Sequence, residues 1–244
     1  MAEVHGEFDP RFAAVADALA GNLDSGTDVG ASVAVVLDGA FVVDIWGGSK
    51  QPDGSEPWER DTIVNVFSTT KTMTALCALI LADRGELDFD APVARYWPEF
   101  AAAGKERIEV RHLLGHTAGL SGWDEPLTPE DLADWERCTS LLAAQAPWWE
   151  PGTRSGYHAV TQGYLVGELV RRITGVSLGQ FFRETVAEPL GADFHIGLPE
   201  EADPRVVPLI PAAAADLQGG GFSELARRSL GNPPVTGEVT RQEW

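Results

Sequence analysis

Ser68-Thr69-Thr70-Lys71 sets a serine and a lysine three residues apart, where a short extended segment hands over to an apolar helical pattern. Residues at that spacing share one helix face. The first turn of a helix carries free N–H groups and the positive end of the dipole, which favour negative charge developing on a serine oxygen. A serine nucleophile needs a base, and a lysine can serve when its surroundings keep it neutral. Nucleophilic enzymes do use this spacing. The structural alternative is an N-cap serine followed by a solvated lysine, although a lysine in the first turn stands at the unfavourable end of the dipole. With 11 Ser and three Lys in the chain, the spacing alone is weak. Its placement ahead of an almost uncharged stretch reaching to Asp83 is what sharpens it.

Tyr157 is the second candidate. It follows the turn-rich loop Pro151-Gly152-Thr153-Arg154-Ser155-Gly156 and precedes a helical pattern. A tyrosine on a loop tip can act as a general acid or base beside a cation; the alternative is a half-buried aromatic whose hydroxyl bonds backbone. His116, in Leu113-Leu114-Gly115-His116-Thr117-Ala118-Gly119-Leu120, reads as a structural histidine that bonds loop backbone, because Ser68 and Lys71 already supply nucleophile and base. Tryptophans at 123, 135, 148 and 149 could line an apolar acyl pocket or fill a core, and exposure would decide between the two. Trp123 and Trp149, with His158 beside Tyr157, are the candidate substrate-binding residues. His112, His158 and His195 show no metal-ligand spacing, so no metal and no cofactor is expected.

Those residues need elements to hold them. Phe8, Phe12, Val15 and Leu19 recur at helical spacing behind Asp9-Pro10, predicting a helix over 8–19. Ala31–Leu37 and Phe41–Trp46, joined by Asp38-Gly39, predict a hairpin. Further helices are predicted over 68–84, 110–114, 128–144, 160–174 and 177–187, with Gly85 and Gly175 as stops and Ser177 as a cap. From Pro199 onward prolines and glycines obscure regular structure. A lone hairpin is marginal in water, so this one needs more strands or a covering helix.

A net charge of −19 argues against an electrostatic grip on nucleic acid or anionic lipid. No run approaches the roughly 20 apolar residues of a membrane span. The first ten residues hold Glu3, Glu7 and Asp9 and do not resemble a secretory leader. Cys77 and Cys138 form no CxxC pair. A reduced, cytoplasmic protein without nucleic-acid or membrane partners is the expectation; the oligomeric state cannot be read.

Three segments in order, Phe67-Ser68-Thr69-Thr70-Lys71, Leu113–Leu120 and Pro151-Gly152-Thr153 with Tyr157 and Gly163-Tyr164, resemble the serine β-lactamase/penicillin-binding-protein-like superfamily, in particular class C β-lactamase-like (family VIII) carboxylesterases. The resemblance implies an α+β, β-lactamase/transpeptidase-like fold, with a helical region packed on an antiparallel sheet. It implies hydrolysis of small-molecule carboxylic esters through an acyl-enzyme on Ser68, with Lys71 taking the proton or holding the network and Tyr157 as general base or acid. The Ser68 N–H would then supply half of an oxyanion hole.

The sequence departs from the family twice. Ala159 stands where a lactamase-type Tyr-x-Asn would place Asn, which favours an esterase over a β-lactamase or D-Ala-D-Ala peptidase. The 87 residues after Tyr157 hold no KTG motif, and their HxG tripeptide, His195-Ile196-Gly197, lies only 38 residues on from Tyr157. The reading is therefore one domain over 1–244 with parts 8–66, 67–198 and an irregular 199–244, ending before the sheet's C-terminal strands. A catalytically weak binding module or fragment is the alternative function.

Overall fold

The computed structural model describes residues 2–210 together with Leu225, Ser229 and Asn232. These fall into two compact units: residues 2–65 with 201–210, and residues 66–200 with the three later residues.

In the first unit, β1 (Val4–Phe8), β2 (Gly30–Leu37) and β3 (Ala40–Gly48) form an antiparallel sheet in the order β1-β3-β2. Asp38 and Gly39 both have positive φ, at 51° and 78°. That is the mirror-image turn whose twist matches a two-residue hairpin. Alternate residues Val33, Val35, Val43 and Ile45 pack with Phe12, Val15, Ala16, Leu19 and Leu23 around the helix α1 (Ala13–Ser25). Helical periodicity on one element and alternation on the other thus meet in one small core. The remaining segment closes on itself: Ile63 bridges Val206, with Ile63 N–H to Arg205 C=O at 2.9 Å and Val207 N–H to Ile63 C=O at 2.9 Å.

Two sequence expectations change here. The helix starts at Ala13 rather than Phe8, because Asp9-Pro10 makes a separate 3-10 turn in which the Asp9 carboxylate accepts from Arg11 N–H at 2.9 Å. Residues Val4–Phe8 instead pair with β3, so the hairpin is not alone. The VHGEF segment carries no alternating apolar signal, and Gly6 has φ 96°. Its strand comes from pairing with residues some 40 positions away, which local pattern does not report.

The second unit is helical: α2 (Thr70–Asp83), α3 (Val110–Leu114), α4 (Trp135–Ala144), α5 (Thr161–Thr174) and α6 (Leu178–Phe182), which continues through a π-helical turn, Arg183–Ala187. α5 is its centre, with Tyr164, Leu165, Val166, Leu169 and Val170 all buried. α2 packs on it through Cys77, Ala78 and Leu81. Gly175 ends α5 at φ 80°, and Ser177 caps α6 by accepting from Gln180 N–H at 3.1 Å. The predicted helix over 128–144 is broken. Glu130–Ala133 is a 3-10 turn, and α4 restarts where the Asp134 carboxylate accepts from Arg137 N–H at 2.9 Å. An aspartate whose side chain can take an orphan N–H favours the cap over the helix interior.

Two buried ionic groups brace this unit. Glu168, on α5, accepts from Arg171, Arg172 and the Trp135 indole N–H. Burial would raise its carboxyl, but those hydrogen bonds outweigh burial and hold it below the usual range. Lys105, wholly buried, donates to the carbonyls of Ala102 (2.8 Å), Ala143 (2.9 Å) and Gln145. Burial pushes its ammonium down to about 8, yet three carbonyls match its three donors. It thereby caps the C-terminal end of α4. No helix of the described residues is long and apolar enough to cross a membrane.

Of the irregular segment predicted from 199, residues 200–205 form a 3-10 helix. The expectation of a missing third motif falls mostly on residues outside those described.

Candidate active site

The site is built on the start of α2 and on two loops of the same unit. Phe67–Thr69 forms a 3-10 turn running into α2, which presents Ser68 at the surface and places Lys71 half-buried one turn on. Phe67 has φ 45°, a left-handed conformation uncommon for an aromatic residue. Strain of this kind gathers at functional sites.

The loop segments 116–120 and 148–156 run beside each other. Trp148 N–H donates to Gly119 C=O (2.7 Å), Gly152 N–H to Thr117 C=O (3.0 Å) and Gly156 N–H to His116 C=O (3.0 Å). Gly119 is required twice. Its φ is 79°, and a Cβ there would stand 2.8 Å from both Pro147 Cβ and the Trp149 carbonyl. Gly156 is also constrained, since a Cβ would meet the Trp149 ring at 2.4 Å. This paired track carries Tyr157 to α2.

There the three predicted catalytic side chains meet. The Tyr157 hydroxyl donates to Ser68 Oγ at 2.6 Å, and Lys71 Nζ donates to the same oxygen at 3.3 Å. Lys71 Nζ also donates to the Ala159 carbonyl at 2.6 Å and lies 5.1 Å from the centre of the Tyr157 ring. Position 159, where the side chain has no amide to offer, thus engages the lysine through its backbone. Tyr157 itself is 48% exposed.

The predicted substrate-binding residues Trp123, Trp149 and His158 are buried and do not gather at this surface. Trp123 is 2% exposed: its indole N–H donates to the Cys138 carbonyl at 3.0 Å and its ring meets Tyr164 edge-on. It is core. Trp149, 8% exposed, packs edge-on against His158 and under Gly156, so it supports the Tyr157 loop from inside. His158 is fully buried. Its Nδ1 hydrogen-bonds the Gly156 carbonyl at 2.6 Å and its Nε2 accepts from Leu120 N–H at 3.2 Å, which fixes the proton on Nδ1. Burial above all, with His116 and Lys71 nearby, pushes its imidazole down to about 4 despite the Gly156 bond. Whether such residue types face a ligand or a core is decided by tertiary packing.

Two participants escaped the sequence. The Ala159 carbonyl is backbone and carries no side-chain signal. The positive φ of Phe67 likewise leaves no trace in residue type. Outside the site, Asn232 accepts from Leu127 N–H at 2.8 Å and donates to the carbonyls of Trp123 (3.1 Å) and Glu125 (2.8 Å), tying a late residue to the loop that follows Gly119.

Comparison with known proteins agrees with this architecture. Residues 15–224 match the Beta-lactamase family model, and the chain belongs to that family, with its β-lactamase/transpeptidase-like fold. It is 44% identical over 209 residues to the esterase/beta-lactamase LipL of Mycobacterium tuberculosis, covering 85% of this chain and 48% of LipL. It is 33% identical over 180 residues to esterase EstB of Burkholderia gladioli, covering 67% of this chain and 45% of EstB. The crystal structure of a family VIII carboxylesterase superposes with a TM-score of 0.87 at 45% identity, over 96% of this chain and 63% of that one. The chain therefore spans about half the length of these curated relatives.

Proposed function

We propose that the protein is a serine hydrolase that cleaves small-molecule carboxylic esters through an acyl-enzyme on Ser68. The observation that carries the reading is the convergence of Tyr157 and Lys71 on one oxygen, Ser68 Oγ, at 2.6 and 3.3 Å. In this reading Ser68 Oγ attacks the acyl carbon while its proton passes to Lys71 Nζ or Tyr157 Oη. The same proton then leaves on the departing alcohol, and water releases the acid from Ser68. The acceptor in that step is a neutral Lys71 amine or a Tyr157 phenolate. The Ser68 N–H, at the first turn leading into α2, would stabilise the tetrahedral oxyanion.

Ester over lactam is supported by Ala159, which lacks the side-chain amide of the lactamase-type motif, and by the esterase names of the relatives LipL and EstB. A cytoplasmic location, without nucleic-acid or membrane partners, completes the reading. It draws support from the net charge of −19 and from two unpaired, buried cysteines. A second reading is a chain that binds but turns over poorly.

Hydrolysis of p-nitrophenyl butyrate by the 244-residue chain, beside Ser68→Ala, tests both. Turnover that vanishes in the variant supports the hydrolase. Equal rates in the two would refute Ser68 as nucleophile, and no turnover by a folded chain would favour the second reading.

A further inference from the structure

We propose that His116 is a positioning residue for Tyr157: a neutral imidazole acceptor and its own carbonyl together hold the backbone N–H groups of the two residues that flank the tyrosine. On the near side, Gly156 N–H donates to the His116 carbonyl at 3.0 Å. On the far side, His158 N–H donates to His116 Nδ1 at 3.1 Å. A peptide N–H can only donate, so Nδ1 must carry a lone pair, and the ring proton stands on Nε2.

The backbone of His116 is built for this. Its φ is 59°, in the left-handed region that histidine and asparagine enter more readily than most residues. One residue thereby offers both its carbonyl and its ring to the same stretch of chain. The ring also lies 4.7 Å from that of Tyr157 and 5.5 Å from that of His158. Burial first, and then Lys71, holds the imidazole below its ordinary range, which keeps Nδ1 free to accept. The titratable groups facing it are Lys71 from α2 and Tyr157 and His158 from the adjoining loop.

Tyr157 is half-exposed, so packing alone does not set where its hydroxyl falls. The held backbone does. A hydroxyl required within hydrogen-bond reach of Ser68 Oγ loses its use when displaced by an ångström. His116 hydrogen-bonds the chain neighbours of Tyr157, Gly156 and His158. Its effect runs through Tyr157, and in its chemical consequence the inference rests on the hydrolase reading.

Three readouts on the full 244-residue chain test it. The first is the 15N chemical shift of His116 Nδ1 at pH 7, which should be that of an unprotonated, hydrogen-bonded ring nitrogen; a protonated Nδ1 would overturn the inference. The second is amide hydrogen exchange in the 155–160 segment. His116→Asn sets an amide oxygen where Nδ1 stands and tolerates the same φ, and should exchange within threefold of the wild type. His116→Gly accepts that φ but has no acceptor, and should exchange about 10-fold faster. Equal protection in the glycine variant, or lost protection in the asparagine variant, would defeat the proposal; the asparagine result and the nitrogen shift decide it even if the glycine variant does not fold.

The third is the rate at which a fluorophosphonate probe labels Ser68, read by intact mass. It should fall about 10-fold in His116→Gly and recover in His116→Asn. Exchange that rises without any fall in labelling would refute the positioning of Tyr157. An unlabelled wild type would instead defeat the hydrolase reading, leaving exchange and the nitrogen shift to decide how His116 holds the loop.

Discussion

At the scale of single residues, Ser68, Lys71 and Tyr157 were legible because their types, spacing and order carry chemistry. What each neighbour does was not. Whether Trp123 and His158 face a ligand or the core depends on which surfaces pack together, and no local pattern encodes that. The same residues give the clearest predictions. On the proposed hydrolase reading, Tyr157→Phe should lower ester turnover about 100-fold or more, the size of a lost acid–base group, with the far-UV circular dichroism spectrum unchanged. His158 gives a pH signature. Its folded-state value of about 4 lies below the ordinary 6.5, so the unfolded chain binds more protons between those values. The stability this neutral histidine contributes is complete above pH 6.5 and is lost as pH falls toward 4. That loss is roughly 3 kcal/mol in the difference between wild type and His158→Asn, read from urea melts at pH 7 and pH 4.

At the scale of elements, the hairpin and α5 were legible because alternation, a mirror-turn pair and a long amphipathic period all agree. β1 was not, since its pairing partner β3 lies far along the chain, and the break at Asp134 was hidden inside a helical composition. Asp134→Ala should cost about 1 kcal/mol by removing the α4 cap. Lys105 is the stronger case. Lys105→Met keeps much of the volume but strands the carbonyls of Ala102, Ala143 and Gln145, which should cost about 3 kcal/mol in a chemical melt. A smaller loss than Asp134→Ala would show that those carbonyls find other donors.

At the scale of the whole molecule, acidity and the family-like order of motifs were readable, whereas the division into two compact units was not, because it is a property of contacts rather than composition. Burial here has a chemical consequence for the cysteines. Both thiols are fully buried and burial pushes them up, Cys77 to about 12 and Cys138 to about 11. The folded chain should release no thionitrobenzoate from Ellman's reagent at pH 8 until denaturant is added, when two equivalents appear; prompt release would contradict the packing of α2 and α4. The buried Lys105 has a practical counterpart. The chain has three lysines, one sealed inside and one, Lys71, beside Ser68. An amine-reactive dye, crosslinker or coupling resin therefore finds only Lys50 as a lysine away from the site. Among the lysines, immobilisation then becomes a choice between the Lys50 handle and self-inflicted inhibition at Lys71.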